Sequence, residues 1–237
     1  MVRAKGRIEG SDAKDAAPKD WKVSLTAIEV CISNAERLLQ DAAKTSVPTS
    51  AALAELSIEE AAKAWMLYFR IRFQGKSLSV HPVLSETERR RIEKCVKDLA
   101  PSAEEFDAEV IASFRSHKVK LKFLGSLLRY VVVAMPMMAK QKKALERLAR
   151  RVHGEAFNLP IDQWPAVSSQ LLELVKTFRP EHITELDSVK QRGFYVNLTG
   201  TWDLVSPDME PFPNQLLMAL AAFLIVTLKG DVVALTK

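Results

Sequence analysis

Hydrophobic residues in the first third of the chain recur at helical intervals. Leu25, Ile28, Ile32, Ala35, Leu39 and Ala42 are spaced 3, 4, 3, 4, 3, which lines one side of an α-helix. The pattern predicts an amphipathic helix from near Trp21 that stops before Pro48, where the proline restricts the preceding backbone. A second helix follows from about Ser50 to Phe73. Ala54, Ile58, Ala61, Trp65 and Tyr68 form its main stripe, and Leu53, Leu56, Leu67 and Phe69 widen it until most of the circumference is apolar. Glu59, Lys63 and Arg70 form a narrow polar exception, with Glu59 and Lys63 placed as an i,i+4 ion pair.

Farther along, Gly75 to Leu84 reads as a loop. Ser85 and Glu88 make a capping box for a short charged helix ending near Pro101, and Ser102 with Glu105 makes another. The second box opens a long helix reaching about Ala134, with Phe106, Val110, Phe114, His117, Leu121, Leu124 and Leu128 on one face, until Pro136 breaks it. A basic helix over 140–153 comes next, then one over about Pro165–Phe178. The period then changes. Residues 193–205 alternate apolar and polar around Thr199-Gly200 and predict a small β-hairpin. The prolines Pro207, Pro211 and Pro213 lead to a last apolar helix, Leu216–Leu228. The expected fold class is mostly α, a helical bundle with a small β-hairpin near the C-terminal third. Residues 1–20 are expected to be a disordered polar tail, and residues 21–237 a single helical domain.

Composition narrows the function classes. A chain of 237 residues, 48% hydrophobic and 27% charged, is ordinary for a soluble globular protein, and only 8 glycines argue against a Gly-rich nucleotide cradle. Cys31 and Cys95 lack metal-ligand spacing and fit a reduced, cytoplasmic setting. No secretory signal is read in residues 1–20, and neither 121–139 nor 216–228 reads as a membrane span. The 34 basic residues exceed the 29 acidic ones, for a net charge of +5. That excess permits a polyanionic partner without requiring one.

The chemistry-bearing motifs are few. The chain has no P-loop, nucleophile elbow or zinc-protease motif, and its four histidines (His81, His117, His153, His182) are too scattered for a metal site, so no metal or cofactor is expected. Around His117, however, stand Arg115, Lys118, Lys120 and Lys122. An imidazole can move protons near neutral pH, and its cationic neighbours can hold a phosphate. Cleavage of RNA through its own 2′-hydroxyl needs only these parts. A core histidine beside solvated lysines accounts for the same residues without chemistry. Glu59, Glu60 and Lys63 form a second group, either a surface ion pair or, on so apolar a helix, a buried support for the basic residues of the long helix. Residues 140–153 form a third, with six Lys/Arg against one Glu. They suit a polyanion or form a solvated face, and they include Arg147 and His153 at Arg-x5-His spacing.

Four stretches together carry a family resemblance. Asn34-Ala35-Glu36-Arg37-Leu38-Leu39, followed by Ala54-Glu55-Leu56-Ser57-Ile58-Glu59-Glu60-Ala61-Ala62-Lys63-Ala64, resembles the first two helices of AbiV-type abortive-infection proteins, which are HEPN-like helical bundles. Arg115-Ser116-His117-Lys118-Val119-Lys120-Leu121 is similar to that family's His-Lys-x-Lys segment. Gly193-Phe194-Tyr195-Val196-Asn197 is similar to its Tyr-Val-Asp hairpin. Ala62 stands where the family often has Gly, and Asn197 where Asp is common. The resemblance spans about residues 25–210 and implies an intracellular anti-phage protein, commonly a homodimer, that attacks RNA or translation. On that expectation His117 is the acid or base of a metal-independent ribonuclease. Arg115, Lys118 and Lys120 hold the phosphate, and Glu59, Glu60 and Lys63 support them; Arg147 and His153, which fit the Arg-x4–6-His spacing of catalytic HEPN ribonucleases, are the alternative pair the resemblance implies. The alternative is a non-catalytic protein that binds a phage factor or the translation machinery.

Overall fold

Ser24 opens the first helix by turning its hydroxyl to the Ala27 N–H, 3.2 Å away, which satisfies one of the amide donors that a helix start leaves unpaired. The computed structural model describes residues 24–47, 49–73, 103–134, 159, 164–194 and 214–235. Among the described residues there are seven helices and no strand: α1 (Leu25–Lys44), α2 (Thr49–Phe73), α3 (Ala103–Ser113), α4 (His117–Ala134), α5 (Trp164–Thr177), α6 (Pro180–Phe194) and α7 (Asn214–Leu235). The α1 stripe is buried as its spacing predicts, with Ile28, Ala35 and Leu39 fully enclosed.

α2 is the central helix and packs against α1, α3, α4, α6 and α7. Its sequence explains why. Ala51, Ala52, Ala54, Ala61, Ala62 and Ala64 are buried on several sides of the helix, and Ile58, Trp65, Met66 and Leu67 fill the spaces between neighbours. A helix apolar nearly all round is stable only when enclosed. The small residues let neighbours approach closely enough for side chains to reach backbone. Ser57 Oγ donates to the Ala35 carbonyl at 2.7 Å, and Ser50 Oγ to that of Ala42 at 2.7 Å, binding α2 to α1. On the other side the Trp65 indole N–H donates to the Leu224 carbonyl of α7 at 3.1 Å. Residues from all seven helices share one buried cluster. Among the described residues, no helix is long and apolar enough to cross a membrane.

Two expectations are corrected. The long helix expected through Ala134 is broken at Phe114–Ser116, where the Phe114 and Arg115 N–H groups bond three residues back, to Ile111 and Ala112. The break lets α3 and α4 pack separately, each against α2. Phe114 and His117 therefore leave the buried face on which the spacing put them, while Phe106, Val110, Leu121, Leu124 and Leu128 stay on it. Nor do residues 193–194 begin a hairpin, because Gly193 and Phe194 close α6. Pro180 suits the first helical position, and Ile183, Leu186 and Val189 continue the period along a face packed on the core. The rest of the expected hairpin lies outside the described residues, as do residues 1–20, the loop at 75–84 and the basic segment 140–153 with Arg147 and His153.

Candidate functional site

The site grows from a carboxylate that the core cannot leave unpaired. Glu59 is fully buried on α2, and a charge removed from water is tolerable only with close partners. Three basic groups supply them. Lys190 Nζ of α6 lies 2.9 Å from Oε1. Lys120 Nζ of α4 lies 2.8 Å from Oε2, and His117 Nδ1 lies 2.5 Å from that same oxygen. His117 and Lys120 are three residues apart on α4 and so share a face. Glu59 thereby holds α2, α4 and α6 together.

The electrostatics follow from these contacts. Burial alone would raise the Glu59 pKa, but hydrogen bonds from Glu55, Lys120 and His117, with the Lys120 charge, outweigh it and hold the group down at about 2. Glu59 is therefore a carboxylate at neutral pH, and the His117 nitrogen facing it carries the hydrogen. That contact orients the ring and leaves Nε2 for another partner. The His117 side chain keeps 52% of its surface exposed, whereas Glu59 behind it keeps none.

Glu55, one turn earlier on α2, is in the opposite state. It is fully buried, and neither oxygen meets a partner at ordinary hydrogen-bond geometry. Desolvation first, then the Glu59 charge and a loose hydrogen bond between the two carboxyls, push its pKa up to about 10. It is thus a neutral acid at pH 7.

Other sequence-selected residues stand around this knot. Glu60 is half-buried and takes Lys63 Nζ at 2.6 Å, with Lys120 Nζ at 3.8 Å. The expected Glu59–Lys63 pair is therefore replaced by Glu60–Lys63, because Glu59 points inward to α4 and α6. Arg70 turns instead to Asp107 of α3, Nη2 meeting Oδ2 at 2.7 Å. Arg115 and Lys118 are exposed, but Arg115 belongs to the turn before α4 rather than to a helix face shared with Lys118 and Lys122. Lys120 is buried, with its ammonium on Glu59. Among the described residues, no group of three His, Cys, Asp or Glu could hold a metal ion.

Sequence reasoning missed Lys190, Asp187 and the role of Glu55. Lys190 also lies 3.4 Å from Asp187, one turn away on α6. The available signal was the Pro180 start followed by Ile183, Leu186 and Val189, a periodicity that predicts a helix with Lys190 beside its buried face.

The HEPN_AbiV family model, described as AbiV, matches residues 23–210, more than half of the chain. No curated protein and no solved structure matches.

Proposed function

Because the chain belongs to the HEPN_AbiV family, which suggests abortive-infection defence, we propose that it acts in that defence as a metal-independent endoribonuclease centred on His117. The observation that carries this reading is the Glu59–His117 pair, with its buried carboxylate behind a half-exposed imidazole. A carboxylate holding Nδ1–H fixes the tautomer that leaves Nε2 basic, and it stabilises the imidazolium formed when that nitrogen takes a proton.

In the reaction, Nε2 accepts the proton of an RNA 2′-hydroxyl. The 2′-oxygen forms a bond to the adjacent phosphorus, the P–O5′ bond breaks, and the departing 5′-oxygen takes a proton from water. The products are a 2′,3′-cyclic phosphate and a 5′-hydroxyl. Arg115 and Lys118 are the exposed cations beside His117, and in this reading they hold the phosphate and offset the charge growing on it. Lys120 was expected among the phosphate contacts. Its burial against Glu59 instead makes it a positioning residue, as are Lys190, Glu60 and Lys63.

The test is incubation of purified protein with total RNA in EDTA. Cleavage should yield cyclic-phosphate ends, and His117→Ala should abolish it, a loss of at least about 100-fold for a general base. The melting temperature should stay nearly constant, because the ring is half-exposed. Intact RNA together with stalled cell-free translation would overturn catalysis in favour of a protein that blocks translation by binding.

A further inference from the structure

Among the described residues the exposed large hydrophobic side chains are Val30, Val47 and Phe114, and Phe114 is the aromatic one, 53% exposed. Its position is unusual in three ways. It stands in the turn between α3 and α4, three residues before His117, and the Phe114, Arg115 and Ser116 N–H groups bond back to Ile111 and Ala112 at 2.8–3.2 Å. The backbone carrying the ring is therefore fixed. One face of the ring is occupied by the Lys63 ammonium, 5.1 Å from its centroid, and Lys63 is itself anchored by Glu60 at 2.6 Å. Finally, the helical spacing that sends Phe106, Val110 and Leu121 into the core would have taken Phe114 with them, had the chain not turned at that point.

The Lys63 ammonium covers part of this half-exposed phenyl ring, and its exposed remainder is available to a flat partner. The exposed groups next to it are Arg115, His117 and Lys118, which suit a phosphate. A planar ring beside a phosphate is the description of one nucleotide. We propose that Phe114 is the stacking platform for an unpaired nucleobase adjacent to the phosphate at His117, so that the site takes single-stranded RNA; this rests on the ribonuclease reading above. A duplex presents its bases stacked on one another and offers no free face to the ring, whereas every unpaired base does. Lys63 on the far face makes the ring the middle layer of a cation–ring–base sandwich.

The test uses the full chain carrying His117→Ala, so that RNA stays intact, and reads the fluorescence anisotropy of a labelled short oligouridylate and of a matched RNA duplex. Phe114→Ala should weaken single-strand binding about tenfold and leave duplex binding unchanged. Phe114→Tyr and Phe114→Trp should keep the affinity, while Phe114→Leu, apolar but without a π-face, should behave like alanine. Circular dichroism melts should coincide for all four, since an exposed ring contributes little to folding. Full binding by the leucine or alanine variant would overturn the proposal. The two readings fail separately. RNA cleaved by the native chain with no dependence on residue 114 sinks stacking alone, and uncleaved RNA bound through Phe114 sinks catalysis alone.

Discussion

Glu55 and Glu59 stand one helical turn apart in the same apolar surroundings and hold opposite charge states. Glu59 meets two ammonium groups and an imidazole, whereas Glu55 meets no hydrogen-bond partner of ordinary geometry. The pH dependence of stability has opposite signs for the two. The Glu59 pKa is depressed from 4.5 to about 2, so its contribution is present above pH 4.5 and is lost as pH falls toward 2. The Glu55 pKa is raised from 4.5 to about 10. Above pH 4.5 the unfolded chain has released that proton and the folded chain keeps it, so stability declines as pH rises through the neutral range. Glu55→Gln, which mimics the neutral acid, should remove that decline. Urea denaturation should show the variant more stable than the native chain by up to about 5 kcal/mol at pH 8 and nearly equal at pH 4. A variant that is less stable at pH 8 would mean that Glu55 is ionised and paired in the folded state.

At the level of elements, the close approach of α1 and α2 decides much of the architecture. Ser57 is fully buried, and its hydroxyl reaches the Ala35 carbonyl of α1. Ser57→Ala keeps the small volume but leaves the contact unmade, and should cost about 1 kcal/mol. Ser57→Leu forces the helices apart and should cost about 1–3 kcal/mol more, through overpacking. Equal midpoints for the two variants in thermal melts would refute the tight α1–α2 contact. The burial of α2 was legible in its sequence, because alanine and large apolar side chains alternate around the whole helix and leave no broad solvated face. The break at Phe114–Ser116 was not legible. That stretch contains neither proline nor glycine, and its local periodicity continues straight through; the turn is set by where α3 and α4 must pack on α2. α6 was legible in principle from Pro180 and the Ile183–Leu186–Val189 spacing. Its many charged residues hid the stripe, and the alternation beginning at Gly193 pointed to a strand.

In the molecule as a whole, one buried carboxylate joins segments far apart in the chain. His117 is 58 residues from Glu59 and Lys190 is 131 away, so no local pattern could pair them. Sequence reading could place Glu59 on an enclosed helix and His117 among cations, but only the packing of α4 and α6 on α2 brings the three together. The partners are not equivalent. The His117 side chain is 52% exposed and that of Lys190 only 7%, so losing the imidazole costs little stability while losing the ammonium leaves buried negative charge poorly balanced. Lys190→Met should therefore destabilise by about 3 kcal/mol, well beyond His117→Ala. Glu59→Gln should cost a comparable amount, because Lys120 and Lys190 then lose their carboxylate. Combining Glu59→Gln with Lys190→Met removes both charges of one pair, and its cost should fall short of the sum of the single costs by about 1–3 kcal/mol. Urea melts of the four proteins measure that coupling directly. Additive costs would mean that Lys190 is balanced by Asp187 instead, and that α6 is held to the site by its apolar face alone.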